Sequence, residues 1–188
     1  MAYLSKFLAN QRLARVAEFI KGDVLELGCG NAKVLENYGL RISSYCGVER
    51  SAPRIEKLKQ NYPHASFFQR DLDRNRLEIN RQFDCVLMLA VIEHLFNQKF
   101  VMEEVSQALK PGGIVVITTP TTFGNDVVYP LAAAFGLTSK SAMNDHIIIY
   151  NLRRFKILAN EIGLKLKYHK YFQVYCNQIA ILEKPGNQ

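Results

Sequence analysis

Residues 24–35 read VLELGCGNAKVL, an apolar run that ends at a bend carrying Gly28 and Gly30 and continues as the opening of a helix. A run from Val24 to Leu27 with no polar face is the pattern of a strand covered on both sides, as in a parallel sheet. Two glycines directly after it mark a place where backbone turns tightly and leaves helix N–H groups free for a ligand. Working outward, Leu4 to Ile20 has the spacing of an amphipathic helix, and a second helix follows the bend from about Ala32 to Tyr38. Tyr45 to Val48 then reads as a strand, Ala52 to Asn61 as a helix and Ser66 to Gln69 as a third strand. Phe83 to Leu89 is a fourth apolar run, Phe100 to Leu109 a helix stopped by Pro111-Gly112-Gly113, and Ile114 to Thr118 a fifth strand. Such alternation predicts an α/β fold, a three-layer sandwich with a mostly parallel sheet. Past Pro120 the rhythm breaks. Thr121 to Asp145 reads as an irregular insertion, followed by a helix from about Asn151 to Ile162. Lys165 to Tyr175 and Gln178 to Glu183 are joined by too short a link for anything but an antiparallel pair.

The 188 residues, 48% of them apolar, match one core of ordinary size, so a single domain spanning 1–188 is expected, with 1–22 as an N-terminal cap helix. No stretch approaches the roughly 20 apolar residues of a membrane span. Lys6, Arg12, Arg15 and Glu18 interrupt the N-terminal apolar residues, against the pattern of a secretory signal, and a cytoplasmic address is expected. Cys29, Cys46, Cys85 and Cys176 lie far apart with no CxxC pair, which excludes a zinc ribbon or a disulfide framework as the reading. A formal charge of +7 points toward anionic partners, but the lysines and arginines are spread along the chain, as on a solvated basic surface.

The bend distinguishes between ligands. A dinucleotide fingerprint wants a small residue where Lys33 stands. Glu26, two residues before the first glycine, would repel a pyrophosphate and attract the ammonium of an amino acid. Glu49 ends the second strand in YCGVERS, where a carboxylate accepts hydrogen bonds from a vicinal diol. Asp71 follows the third strand in FFQRDLD and is placed to accept from an adenine amine, with Leu72 or Ile92 as an apolar wall. Three acids at three strand ends, beside a bare backbone bend, suit S-adenosylmethionine.

Together VLELGCG, GVERS, RDL, FDCVLMLAVIEHL and LKPGGIVVITTP, spanning Val24 to Pro120, resemble the successive motifs of class I S-adenosylmethionine-dependent methyltransferases. The IEHL and LKPGG pair is similar to the small-molecule and ubiquinone-biosynthesis group. The resemblance implies a Rossmann-like sheet of seven strands with the last pair reversed, and S-adenosylmethionine as the donor. It adds Cys29, Arg50, Leu89 and Ala90 to Glu26, Gly28, Gly30, Glu49, Asp71 and Leu72 as cofactor-binding residues. Ala32 replaces the commoner third glycine and Glu49 the usual aspartate. In metal-assisted relatives a similar EVIEH places two acids and a histidine on a metal, joined by a later histidine. Here the first acid is Ala90, so a metal is not expected; Glu93, His94 and His146 are the candidate ligands if one is used.

Methyl transfer from a sulfonium needs no protonation of the leaving group, so the protein's work is positioning and, for a hydroxyl acceptor, removal of a proton. His146, after Asn144-Asp145, and His94, at the end of the fourth strand, are the candidate catalytic residues. The expected acceptor is a small molecule methylated on oxygen. Phe123, Tyr129, Phe135 and Met143 in the 121–145 insertion, with Tyr3, Phe7 and Phe19 of the first helix, are expected to cover the cleft. Two other readings are an RNA methyltransferase, suggested by the basic balance, the partial IEH match and the Asp145-His146 pair, and a non-catalytic partner subunit that keeps the fold. The chain has no basic stripe interleaved with aromatics, and its full set of cofactor acids argues against the second.

Overall fold

The computed structural model of the protein describes residues 2–134 and 146–186. Seven strands form one sheet: β1 Gly22–Leu27, β2 Ile42–Glu49, β3 Ser66–Gln69, β4 Phe83–Leu89, β5 Leu109–Pro120, β6 Lys165–Phe172 and β7 Asn177–Glu183. Their spatial order is β3-β2-β1-β4-β5-β7-β6. β1, β2, β3, β4 and β5 pair in parallel, and β7 runs antiparallel to both β5 and β6. Chain order reverses between β1 and β4. There the connections leave toward opposite faces, opening a crevice at the carboxyl ends of the strands.

Side chains alternate between two cores, one per sheet face. Leu25, Leu27, Val86, Met88, Val115 and Ile117 pack with the helices α4 (Gln98–Ala108) and α6 (Leu152–Glu161). On the other face Val24, Tyr45, Cys85, Leu87 and Val116 pack against α1 (Ala2–Val16), α2 (Lys33–Tyr38) and α3 (Ala52–Asn61). α3 opens with Pro53 in its first turn, where a missing N–H costs nothing. α6 is capped by the Asn151 side chain, which accepts from Arg154 N–H at 2.9 Å.

The strand and helix order follows the sequence reading, with three corrections. The LKPGG segment belongs to β5, which starts at Leu109 rather than Ile114, and α4 ends one residue earlier at Ala108. The segment after Pro120 is helical where it is described: a wide π turn, Gly124–Val128, leads into α5, Tyr129–Ala134. Pro130 lacks an N–H and its ring crowds the carbonyl of Asp126, four residues back, so the turn before it opens instead of closing as α-helix. Phe135, Met143 and Asn144-Asp145 lie outside the described residues. No described helix is long and apolar enough to cross a membrane.

Candidate active site

A cavity of about 650 Å³ lies at the β1–β4 switch point. Gly28, Glu49, Arg50, Asp71, Leu72 and Ala90 line it, six of the ten residues expected to hold a cofactor. Gly28 has φ +68°, and a Cβ on it would stand 2.7 Å from a methyl of Val91. The bend is therefore glycine both for its left-handed backbone and because the loop after β4 presses on it.

Glu49 ties two strand ends together. One carboxylate oxygen accepts from Gly30 N–H at 3.2 Å and the other from Ser51 N–H at 3.0 Å, while Arg54 approaches to 3.6 Å. Gly30 thus acts through Glu49 and stands off the cavity wall. A carboxylate has about four acceptor sites, so Glu49 keeps capacity for a diol. Asp71 accepts from Asp73 N–H at 3.1 Å and keeps its second oxygen 3.8 Å from Arg74. Asp73, which the sequence reading passed over, accepts from Phe96 N–H and Asn97 N–H at 2.9 and 3.0 Å and lashes the loop after β4 to the loop after β3. Its only signal in the sequence was a second acid two residues after Asp71. The apolar wall expected from Leu72 or Ile92 is supplied by Leu72 with Val91 and Leu95, since Ile92 is fully buried in the core beneath.

Glu26, Cys29 and Leu89 stand behind the wall. Glu26 is 5% exposed and accepts a hydrogen bond from the Tyr45 hydroxyl. Burial pushes its carboxyl up to about 8, against the smaller opposing effect of that hydrogen bond. It is a buried acid one layer under the glycine bend rather than an open carboxylate. Cys29 is buried, its N–H given to Val48 carbonyl at 3.0 Å and its thiol pushed up to about 12, chiefly by burial. That thiol is no nucleophile. Leu89 is half-buried at the tip of β4, packed on the α1 face of the sheet.

Beyond the crevice the chain folds back on itself. Ala90 takes φ +56° and donates its N–H to Thr118 carbonyl at 2.9 Å. A single turn, Ile92–His94, follows, and the Glu93 carbonyl accepts from Ile147 N–H at 2.7 Å. That bond brings His146 over His94, their rings 4.9 Å apart between centroids. His94 and Ile147 both line the cavity. His146 Nδ1 lies 2.6 Å from Asn125 Oδ1, a contact no local pattern announced.

Glu93 is fully buried, with the Thr119 side chain beside its carboxyl. Burial holds its carboxyl above the usual range. Ligand atoms of Glu93, His94 and His146 lie within 4.8 Å of one another. A buried carboxyl set beside two imidazoles fits a divalent cation, and the donor mix of one oxygen and two nitrogens suits a borderline transition ion better than magnesium. Thr118, Thr119 and Asn177, at the same end of β5 and β7, are likewise buried. Among the aromatics expected to cover the cleft, Tyr129 accepts from Asn177 at 2.6 Å and faces this polar end, whereas Phe7 and Phe123 are exposed and Phe19 packs on Tyr168.

A family model described as a methyltransferase domain matches residues 2–169. The chain is 30% identical over 98 residues to a ubiquinone biosynthesis O-methyltransferase from Bradyrhizobium sp. (strain ORS 278), covering 51% of this chain and 39% of that protein. The chain thus spans about two fifths of that relative's length. Among solved structures, an S-adenosylmethionine-dependent methyltransferase from Clostridium acetobutylicum aligns with a TM-score of 0.70 at 13% identity, covering 97% of this chain and 91% of the other. The N-methyltransferase NodS of Bradyrhizobium japonicum, in complex with S-adenosyl-L-homocysteine, aligns with a TM-score of 0.66 at 15% identity, covering 97% and 88%. At these identities both likenesses speak for the fold.

Proposed function

This chain belongs to the class I S-adenosylmethionine-dependent methyltransferase family, and from that premise we propose that it moves a methyl group from S-adenosylmethionine to a hydroxyl of a small molecule. The observation that carries the reading is that Gly28, Glu49 and Asp71 line one cavity together with His94. Glu49 takes the ribose hydroxyls, Asp71 the adenine amine, and Leu72 and Leu95 the faces of the base. The glycine bend takes the carboxylate, and Glu26 beneath it, ionised by the approach of the ammonium, completes the zwitterion's partners.

In this pose the sulfonium methyl points toward the end of β4, where Ala90 and His94 stand. Transfer is an in-line displacement: the acceptor oxygen forms a bond to the methyl carbon as the carbon–sulfur bond breaks, and sulfur keeps the electron pair and loses its charge. Holding the oxygen and methyl in line supplies on the order of 7–11 kcal/mol. His146 takes the hydroxyl proton, for about 10²–10⁴-fold more. Oxygen is preferred as the acceptor because a pair of imidazoles beside the cavity suits a group that must lose a proton on attack.

A second reading of the same residues is favoured by Glu93. Its buried carboxylate, with His94 and His146, would hold a divalent cation, which supplies Lewis-acid polarisation of the acceptor hydroxyl when bound. Ala90 leaves such a site one acid short. RNA as the acceptor draws on the basic balance, the partial IEH match and the Asp145-His146 pair, and a catalytically silent subunit is disfavoured by the acids Glu49 and Asp71 in the cavity.

The test is turnover. Calorimetry with S-adenosylmethionine and S-adenosylhomocysteine, followed by a panel of phenolic, sugar and amine acceptors scored for S-adenosylhomocysteine release, separates the readings. Cofactor binding with release on a hydroxyl acceptor supports the proposal. Binding with turnover only on amines or RNA, or no cofactor binding, overturns it.

A further inference from the structure

Basic residues that lie scattered along the sequence are gathered by the fold. Residues 151–172 carry six lysines and arginines against one acid, Glu161, and residues 1–21 carry four against one, Glu18, while the rest of the chain is close to balance. These two stretches meet at β6, an edge strand of the sheet. On one face of β6 the ring of Phe155, from α6, lies 6.1 Å from that of His169. On the other, Phe19 packs on Tyr168 and Arg15 donates to the Tyr168 hydroxyl at 3.1 Å. Arg153, Lys156, Lys165, Lys167 and Lys170 are exposed along this side of the molecule, with Lys167 3.3 Å from Glu183. The positive surplus of the chain is thus concentrated at one edge.

The same edge ends in an apolar corner. β6 runs parallel with β5, so its carboxyl end, and the turn from it into β7, lie at the end of the sheet that holds the cavity. In that turn Gln173, Val174 and Tyr175 take φ +52°, +53° and +63°, a left-handed backbone that L-residues seldom adopt and a β-branched valine resists. The turn is held from beneath: Gln173 Nε2 donates to Leu8 carbonyl at 2.9 Å, the Thr121 hydroxyl to Tyr175 carbonyl at 2.5 Å, and Cys176 N–H to Gln173 carbonyl at 3.0 Å. What it presents is apolar. Val174 is 85% and Tyr175 65% exposed, and the exposed ring of Tyr171 lies 5.5 Å from that of Tyr175. Phe7, next to Leu8, is exposed as well.

We propose that this corner docks on an anionic phospholipid bilayer, with Val174 and Tyr175 entering the boundary between headgroups and acyl chains and the basic edge lying on the lipid phosphates. A nucleic acid uses cations and stacks on tyrosine but gains nothing from Val174. A bilayer interface takes all three kinds of side chain at once: cations at the phosphates, tyrosines at the boundary and valine below it. The docking face stands on its own observations; that the cavity receives a hydroxyl acceptor with an apolar tail from the bilayer rests on the methyl-transfer reading above.

Sedimentation with vesicles of phosphatidylcholine alone, and of equal parts phosphatidylcholine and phosphatidylglycerol, measures the partition. The chain has no tryptophan, so Tyr175→Trp supplies a single reporter. Binding to the anionic vesicles, weakened by salt and accompanied by a blue shift of the reporter's emission, is expected. Lys156→Gln, Lys165→Gln and Lys170→Gln together should lower the partition about 100-fold, at about fivefold per charge. Val174→Asn, a residue at home in left-handed backbone, keeps the turn and should lower it about tenfold. Both variants should keep the wild-type Tm and affinity for S-adenosylmethionine. With a tailed acceptor carried in anionic vesicles, Val174→Asn should raise KM, and with a tailless acceptor in solution it should not. No binding to anionic vesicles at low salt, an unshifted reporter on bound protein, or a partition indifferent to Val174→Asn overturns the proposal. RNA retention, or self-association abolished by Val174→Asn, without vesicle binding overturns it too. Vesicle binding by a protein that binds no S-adenosylmethionine supports the docking face and overturns the methyl-transfer reading instead, so the two failures are distinct.

Discussion

Glu26 is where local chemistry and burial diverge most. Its place in the sequence marks it as an acid beside a cofactor, but only the register of β1 on β2, which sets Tyr45 opposite Val24 on the same face, reveals that its carboxyl is buried and raised to about 8. Near pH 7 the free protein therefore holds this group mostly protonated. If the cofactor ammonium draws on it, binding must release close to one proton, and affinity should rise about tenfold per pH unit up to pH 8. Calorimetry in buffers of different ionisation heat measures this, and Glu26→Gln should abolish both the released proton and the pH dependence. Asp73 makes a second claim at this scale. Replacing it with Ala removes the acceptor for two backbone N–H groups of the loop after β4. KM for S-adenosylmethionine should rise by about 3–10-fold with little change in melting temperature, and an unchanged KM would show that the loop is held otherwise. Acids at strand tips were legible because their positions follow from local pattern. Tyr45, Asp73 and Asn125 were not, because each matters through a partner on another element.

Among the elements, the helix after β5 departs furthest from expectation. Its small and aromatic residues have no clean helical period, so an irregular insertion was the natural reading. The helix forms because its first turn is welded to the neighbouring hairpin: Thr121 N–H donates to Cys176 carbonyl at 3.0 Å and Gly124 has no room for a side chain against the same carbonyl. Gly124→Ala should therefore cost at least about 2 kcal/mol, a fall of roughly 4–8 °C in Tm for a chain of this size. Tm unchanged by this substitution would mean that the turn moves freely. The glycine bend after β1 was read correctly from sequence because strand, bend and helix are contiguous there and no distant contact is needed to see them.

Across the whole molecule, the two ends of the sheet respond to pH with opposite sign. At the amino ends Lys110 Nζ lies 2.7 Å from Asp23 and 2.9 Å from Asp84, bridging β1, β4 and β5. Hydrogen bonding to Lys110 for Asp23, and the Asp23 N–H followed by Lys110 for Asp84, hold both carboxyls below their ordinary 3.8. Groups lowered by folding contribute stability above the unfolded pKa and lose it as pH falls through the folded value. Glu26 is raised, so its contribution is full below about 4.5 and lost as pH rises toward about 8. Lys110→Met should blunt the loss of Tm below pH 4 without touching the alkaline side, and Glu26→Gln should flatten the decline between pH 5 and 8 only. Calorimetric scans from pH 3 to 9 would reveal either effect on the wrong side. From the sequence alone came the alternation of strands and helices, the reversed last pair, the glycine bend and the acids beside it, since each is written in contiguous residues whose period and spacing obey local geometry. Tertiary structure decided that Glu26 is sealed under Tyr45, that Glu93 is buried with two histidines beside it, and that Asn125 meets His146. Those facts arise where strand order folds distant segments onto one end of the sheet, and burial there sets the charge and proton positions that no single segment carries.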